Sequence, residues 1–396
     1  MADSQHRLPR RRFLLAAGAA AVGTSSMARI ACACTRAGPV RIGVVLPHST
    51  RYPELAREFL GGFEAYAAAD AGRGRVAIVP IACSGGMSRT VAAASRAAEC
   101  RSVDVVAAIA SGELAARAAP ALEPGAVPFI ACDLGADFVR ARRDSALLVR
   151  HTLGYWQANH AMGAWSAGHL GRRALIAVDF LESGHDVVYA FRRGFEAAGG
   201  EVAGVVRTGL PDGTDGLPEV AAAVGSIAPD FVYAFYSAKR ARAFLKAYAA
   251  SGLAGRVPLA GAAMLTEQAG SEAFEGILTA ASWPTHALGP FGMLGYEAAQ
   301  RVAAAAEALD GATSDARTFA RAIGDLAVDG PRGLIQPNRD LIESAGPAYV
   351  RRLTRTTAGL AEVVVERMPA LALDNASRRE LRTLVKTGWS QAYLTA

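Results

Sequence analysis

The sequence has little of several features that define whole classes of protein. Its 5 cysteines among 396 residues are too few for a disulfide-stapled scaffold. No apolar run reaches the roughly 18 residues of a transmembrane helix. The motifs G-x-x-x-x-G-K-[ST] and G-x-S-x-G are absent, as is G-x-G-x-x-G after a strand. These absences argue against a membrane-spanning chain and against the common nucleotide-binding and hydrolase classes, so we predict a protein that is not an enzyme.

Positive charge is concentrated at the N-terminus. The formal net charge is +6, and residues 1–33 contribute +4 through five arginines and one aspartate, which leaves 6 − 4 = +2 on the rest. The remaining chain is therefore close to balanced. The overall charge alone would suggest a nucleic-acid partner. Because the charge outside the leader is close to balanced, we predict no such partner.

Residues 1–33 have the pattern of an export signal. Arg10, Arg11 and Arg12 precede the apolar segment Phe13–Val22, and small residues follow. A segment of this length is too short to span a bilayer. The arginines before Phe-Leu resemble a twin-arginine signal. We predict export to the periplasm and cleavage of the leader; the alternative is a basic tail before a buried helix.

Two cysteines lie where the leader would end. Ala31-Cys32-Ala33 is a small-residue cleavage site, and Ser26-Met27-Ala28 is an alternative one. Cys32 and Cys34 stand where a lipoprotein carries its acylated cysteine, although the preceding residues fit that signal poorly. A lipid anchor at Cys32 or Cys34 is thus an alternative to a free N-terminus.

From residue 40 the chain alternates short β-rich runs with helical periodicity. Val40–Leu46 is typical of a buried strand, and Glu54–Asp70 places apolar residues at helical spacing. A similar series starts after Arg150, and Ala348–Leu353 with Ala361–Arg367 predict antiparallel strands. The fold class is therefore α/β, with two doubly wound parallel-sheet lobes. The expected ligand site is the cleft between them, beyond the carboxyl ends of the strands.

Several segments in this order resemble type I periplasmic binding proteins, the branched-chain amino-acid-binding receptors of ABC importers. The resemblance covers about residues 40–355. It is carried by Ile42–Ser49, Phe59–Glu64, Ser111-Gly112, Val127–Ile130, Phe195–Val202, Pro229-Asp230, Phe244–Lys246, Gly295–Ala298 and Asp329–Gly333.

The resemblance implies three crossovers between the lobes, near residues 151, 262 and 334. Lobe 1 would comprise residues 38–151 and 263–333, and lobe 2 residues 152–262 and 334–367. A C-terminal tail, 368–396, would pack on a lobe.

Two departures from the family pattern bear on the ligand. Pro284–Leu294 replaces a longer helix and strand, which implies a more open cleft rim and leaves the contact of Phe291 unassigned. The position that often holds an acid for the ligand's amino group falls on Ala262 or Ala263. This substitution argues against a plain α-amino acid as the ligand.

Polar residues follow two strands of the first lobe. Ser111 and Gly112 open a helix, and a hydroxyl with free N–H groups at a helix N-terminus favours an anion, although an ordinary N-cap has the same sequence. In the family this loop holds the ligand's carboxylate. Asp133 can receive an ammonium or hydroxyl group, or cap the next helical turn.

The loop after the first strand holds further candidates. Ser49 ends the segment that resembles the family's opening strand and loop, and Tyr52 lies further along the same loop. Arg51 and Tyr52 can clamp an acid or stack on a ring; the alternative for Arg51 is a solvent-exposed side chain.

In the second lobe, Glu182 and His185 follow one predicted strand, and Tyr236 and Ser237 follow another. The family uses an aromatic or polar group at about these places to cover the ligand. Met264 follows the predicted second crossover and can line the floor of the cleft.

Metal sites and disulfides are not predicted. His160 and His169 are nine residues apart, which is not a metal-ligand spacing, and we expect no cofactor. Cys83 and Cys100 bracket a predicted helix about 20 Å long, too far for a disulfide. We expect these two and Cys132 to remain thiols.

The resulting prediction is an extracytoplasmic solute-binding receptor of an ABC importer. Its partners would be a small polar or amphipathic molecule, of the amino-acid, amide or carboxylate type, and an inner-membrane permease, and the receptor would be a monomer. The alternatives are a periplasmic sensor or co-receptor on the same scaffold and an exported enzyme.

Overall fold

A computed structural model describes residues 38–83, 87–110, 112–136, 145–213, 215–267, 269–284, 288–338, 343–371 and 380. The leader, Ser111 and most of the C-terminal tail lie outside these ranges. Among the described helices, none combines the length and apolar character that a membrane span requires.

The first lobe is built on a five-stranded parallel sheet in the order β2-β1-β3-β4-β5. The apolar runs of the sequence form its strands because both faces are covered by helices. Its elements are β1 (Val40–Val45), α1 (Leu55–Ala68), β2 (Val76–Ile81), α2 (Met87–Glu99), β3 (Val105–Ile109), α3 (Gly112–Leu122), β4 (Phe129–Asp133) and β5 (Leu148–Thr152).

The second lobe contains a seven-stranded sheet in the order β15-β14-β10-β9-β8-β6-β7. Strands β6 to β10 are parallel, and β14 and β15 form the antiparallel edge that the sequence predicts. The elements are α4 (Tyr155–His169), β6 (Arg173–Asp179), α5 (Asp186–Ala197), β7 (Glu201–Thr208), α6 (Leu217–Ile227), β8 (Phe231–Phe235), α7 (Ala238–Ala250), β9 (Leu259–Ala262), α8 (Met264–Glu267), β10 (Leu278–Ala281), β14 (Ala348–Thr356) and β15 (Gly359–Met368).

Between β10 and β14 the chain forms two further helices and a small antiparallel sheet. Helix α9 packs along α1, and α10 packs on α9. The order of the small sheet is β11-β12-β13. These elements are α9 (Gly289–Ala308), α10 (Ala316–Asp325), β11 (Val328–Gly330), β12 (Gly333–Asn338) and β13 (Glu343–Ala345).

Glycines allow α1 and α9 to pack closely. A Cβ on Gly62 would meet the carbonyl oxygen of Gly292, and a Cβ on Gly295 would meet the carbonyl oxygen of Phe59. Only glycine permits so close an approach of two backbones. Two of the segments that carry the family resemblance, Phe59–Glu64 and Gly295–Ala298, thus pack against each other in the structure.

Two crossovers lie later in the chain than the sequence predicts. The predicted crossing near 262 is wrong, because β10 pairs with β9 in the second sheet, so residues 263–281 stay in lobe 2. The crossing near 334 is also misplaced, since the backbone of β12 pairs with β11 and β13, and the chain rejoins the second sheet only at Ala348.

A buried arginine joins two of the three crossovers. Arg332, 1% exposed, makes a bidentate ion pair with Glu297 of α9 at 2.8 Å for both contacts. Its Nη atoms also donate to the carbonyl oxygens of Thr152 and Leu153 in the first crossover and to Ser282 in the second. One guanidinium thus links α9 with the first two of the three connections, which are the segments about which such lobes move.

Other sequence predictions concern the thiols and the tail. Cys83, Cys100 and Cys132 are free thiols, which confirms the prediction for them. In the tail, Glu380 accepts a hydrogen bond from Tyr189 and pairs with Arg193, both on α5. Among the described tail residues, Glu380 thus contacts lobe 2, and Met368 and Leu371 pack against the apolar core.

Candidate functional site

Arg51 connects the two lobes at the carboxyl ends of their strands. It lies in the loop between β1 and α1, and its Nη2 atom is 2.5 Å from Oε1 of Glu182 and 2.8 Å from Oγ of Ser237. Its side chain is 13% exposed. Arg51 is therefore a largely buried cation that faces lobe 2 and not the surface residue that the sequence left as an alternative.

The loop that carries Arg51 is fixed by its neighbours. Oγ of Ser49 accepts a hydrogen bond from the backbone N–H of Tyr52 at 3.0 Å. The Tyr52 ring packs edge-on against Phe291, with the ring centroids 5.7 Å apart, and both side chains are buried. Burial raises the pKa of Tyr52 above its ordinary value, so the phenol stays neutral beside Arg51 and Ser237.

In lobe 2, acidic and polar groups converge on Arg51 from the ends of β6 and β8. Oγ of Ser237 donates to Glu182, and Nε2 of His185 is 3.9 Å from the same carboxylate. Ala238, directly after Ser237, has a φ of 51°. A non-glycine residue in this left-handed region stores roughly 1–3 kcal/mol of strain, which is typical of functional sites.

A second layer of charge lies behind these groups. Oδ1 of Asp179, the last residue of β6, accepts a hydrogen bond from Nε of Arg240 at 2.8 Å, and Oδ2 lies 3.9 Å from Arg51. Burial would lower the pKa of Arg51, but Glu182, Tyr52 and Asp179 outweigh this effect and the pKa lies above its ordinary value. Arg51 therefore stays charged and can bind a carboxylate or another anion.

The predicted site residues separate into distinct groups. Four of them lie together around Arg51: Tyr52, Glu182, His185 and Ser237. Ser49 supports the loop that carries Arg51. The carboxylate of Asp133 accepts the N–H of Gly135, which is the turn role left open by the sequence. Gly112 begins α3, Met264 donates its N–H to the hydroxyl of Tyr155, and Ser111 lies outside the described residues.

The predicted position of Tyr236 in the cleft needs correction. Its side chain is fully buried in the core beneath α7, where the ring stacks on Phe244 with the centroids 4.2 Å apart. The hydroxyl receives a hydrogen bond from Thr208 at 3.1 Å. The neighbouring Ser237, at the start of α7, faces Arg51 and Glu182 instead.

Replacing Tyr236 by phenylalanine tests this assignment. We expect a loss of about 1 kcal/mol of stability, because one buried hydrogen bond is removed while the ring packing stays. Affinity for any cleft ligand should be unchanged. Thermal unfolding and calorimetric titration of the variant would measure both quantities. A large loss of affinity without a change in stability would show that Tyr236 contacts the ligand.

Asp179 and Arg240 are site residues that the sequence reasoning missed. The site residues selected from the sequence lie beyond the ends of the predicted strands, whereas Asp179 is the last residue of β6 itself. An acid at the end of a buried parallel strand was the available signal. Arg240 had no such signal, because a cation in the first turn of a helix is normally solvated.

Comparison with known proteins agrees with this architecture. Residues 39–290 match the family model of the periplasmic binding proteins, and the chain belongs to this family. The family is extracytoplasmic. No curated protein matches the chain.

Solved structures share the fold at low sequence identity. A benzoate-bound ABC-transporter solute-binding protein from R. palustris is 23% identical with a TM-score of 0.67, covering 86% of this chain and 99% of its own. A second R. palustris solute-binding protein, in complex with 4-hydroxybenzoate, is 22% identical with a TM-score of 0.67 and covers 84% and 97%. A leucine-binding protein from Thermotoga maritima is 17% identical with a TM-score of 0.63 and covers 83% and 99%.

Proposed function

We propose that the protein is an exported solute-binding receptor of an ABC importer and that it binds a small carboxylate between its lobes. The observation that carries the proposal is the largely buried guanidinium of Arg51, contributed by one lobe and facing polar groups of the other. A ligand anion at this point would contact both lobes and favour their closure.

The surroundings of Arg51 support a ligand with an apolar or aromatic body. Tyr52 and Phe291 form one aromatic pair, and Tyr155 and Phe235 form another with their centroids 6.2 Å apart. His185 packs edge-on against Phe235. Aromatic rings beside a few placed polar groups are typical of small-molecule sites.

The wider proposal follows from the leader and the family. Residues 1–33 would direct the chain to the periplasm, by the twin-arginine route, and be removed. The closed receptor would then dock on an inner-membrane permease as a monomer, without a catalytic activity or cofactor of its own. The solute-binding proteins that share the fold bind benzoate, 4-hydroxybenzoate and leucine, which makes these compounds the first ligands to test.

A thermal-shift screen with matched amides tests the proposed ligand class. Benzoate, 4-hydroxybenzoate and L-leucine would be compared with benzamide, 4-hydroxybenzamide and L-leucinamide. At a hundred times its dissociation constant a ligand stabilises the folded state by about 2.7 kcal/mol. We expect at least one acid to raise the unfolding midpoint while its amide does not. Equal shifts with an acid and its amide, or no shift with any acid, would contradict the proposal.

A further inference from the structure

The two carboxylate oxygens of Asp179 have different surroundings. Oδ1 receives the hydrogen bond from Arg240, whereas Oδ2 is buried and has no hydrogen-bond partner among the residues that the structure describes. The residue is 2% exposed, so solvent does not satisfy this oxygen. An anionic oxygen in such a position is costly unless a donor reaches it.

The unpartnered oxygen faces the place where the lobes meet. Oδ2 is 3.9 Å from Nη2 of Arg51, which belongs to the other lobe. Nε of Arg51 is likewise buried without a hydrogen-bond partner in the described part of the chain. The interface between the lobes therefore has one unfilled acceptor on lobe 2 and one unfilled donor on lobe 1.

Arg240 holds Asp179 in this orientation. Besides its bond to Asp179, the guanidinium donates to Asp215 at 2.6 Å and to Oγ1 of Thr208 at 3.2 Å. Burial raises the pKa of Asp179, and the hydrogen bond from Arg240 opposes this shift. Arg240 thus holds the Asp179 carboxylate on the side away from the cleft, and Oδ2 faces the cleft.

Two other described positions at strand ends of lobe 2 offer no equivalent acceptor. Ala262 and Ala263, at the end of β9, have no polar side chain. Glu182 already accepts hydrogen bonds from Ser237 and Arg51. When a ligand carboxylate replaces Glu182 at Arg51, Glu182 keeps its bond to Ser237, whereas Oδ2 of Asp179 still lacks a donor.

We infer that the cleft selects acids that also carry a hydrogen-bond donor, a hydroxyl or ammonium group, and that Oδ2 of Asp179 accepts that donor. This inference rests on the proposed function, because Arg51 must take the carboxylate. Ala262 and Ala263 lack the acid that would bind a ligand's amino group, which argued against amino acids as ligands. Asp179 at the end of β6 supplies such an acid instead. Sites built around a substrate's donor discriminate strongly against analogues that lack it.

Calorimetric titration with matched ligand pairs tests the inference. The pairs are 4-hydroxybenzoate with benzoate, and L-phenylalanine with 3-phenylpropionate, which differ in the donor and keep the carboxylate. In the wild-type protein we expect the donor-bearing member of at least one pair to bind roughly tenfold to hundredfold more tightly. In Asp179→Asn this preference should disappear, as judged by the ratio of the two affinities within each pair in the same variant.

Glu201→Gln is the matched control. Glu201 is exposed and pairs with Arg173 at the opposite end of the same sheet, so the preference should survive there. If Asp179→Asn does not fold, the double variant Asp179→Asn/Arg240→Gln also removes the arginine whose bond to the Asp179 carboxylate is lost, and serves as the second test.

The outcomes separate the inference from the proposed function. Acids that bind without preference for the donor, or a preference that persists in the Asp179 variant, overturn the inference alone. Failure of every acid to bind contradicts the proposed function and the inference with it. Loss of the preference in the Asp179 variant and its retention in the Glu201 variant support the inference.

Discussion

Replacing Arg332 by methionine is expected to lower the thermal unfolding midpoint by roughly 5 °C. The change leaves the carboxylate of Glu297, itself fully buried, without its bidentate partner, and removing one member of a buried pair typically costs about 3–5 kcal/mol. The carbonyl oxygens of Thr152 and Leu153 also lose a donor. Differential scanning calorimetry would measure the shift.

A double variant separates the lost pair from the lost packing. Arg332→Met combined with Glu297→Leu removes both charges, and replacing a buried ion pair by apolar residues is often close to neutral. We expect the double variant to be more stable than the single one. A single variant as stable as the wild-type protein would show that Arg332 does not hold the crossovers together.

Replacing Arg51 by glutamine is expected to weaken carboxylate binding about a hundredfold or more. The guanidinium is the cation that faces both lobes in the described site, and a charge-assisted pair in a desolvated place is worth several times a neutral hydrogen bond. The fold should be affected much less than by the change at Arg332, since Glu182 keeps its bond to Ser237. Titration with the best-binding acid would measure the loss.

Arg57→Gln provides the matched control for Arg51. Arg57 lies on α1, six residues further along the chain, and is exposed. The control removes the same charge from the same lobe and should bind as the wild-type protein does. Equal losses in both variants would mean that Arg51 acts only through the overall charge of the lobe.

Local apolar patterns predicted most of the strands and helices, whereas the partners of those strands could not be read from the chain. Leu148–Thr152 was missed as a strand because Arg150 and His151 interrupt its apolar run. The segment Leu278–Ala281 was assigned to lobe 1 and belongs to lobe 2, because nothing in a short apolar run indicates which sheet it joins. Strand pairing joins residues that are far apart in the chain. Both errors in the crossovers were errors about which strands pair.

The site shows the same division between local and long-range information. The strand-end rule identified the loops of Tyr52, Glu182 and Ser237 correctly as neighbours in space. It could not decide between Tyr236 and Ser237, because a shift of one residue reverses the face of a strand. It also left open whether Arg51 binds an acid or is solvent-exposed, since its burial depends on residues more than a hundred positions away.

The central claim is that a small carboxylate binds between the lobes at Arg51. A crystal structure of the protein with the acid that stabilises it most tests this claim directly. We predict the ligand carboxylate within hydrogen-bonding distance of the Arg51 guanidinium, with Glu182 displaced from Arg51 and still bonded to Ser237. A ligand bound elsewhere, or one in the cleft with the Arg51–Glu182 pair intact, would contradict it.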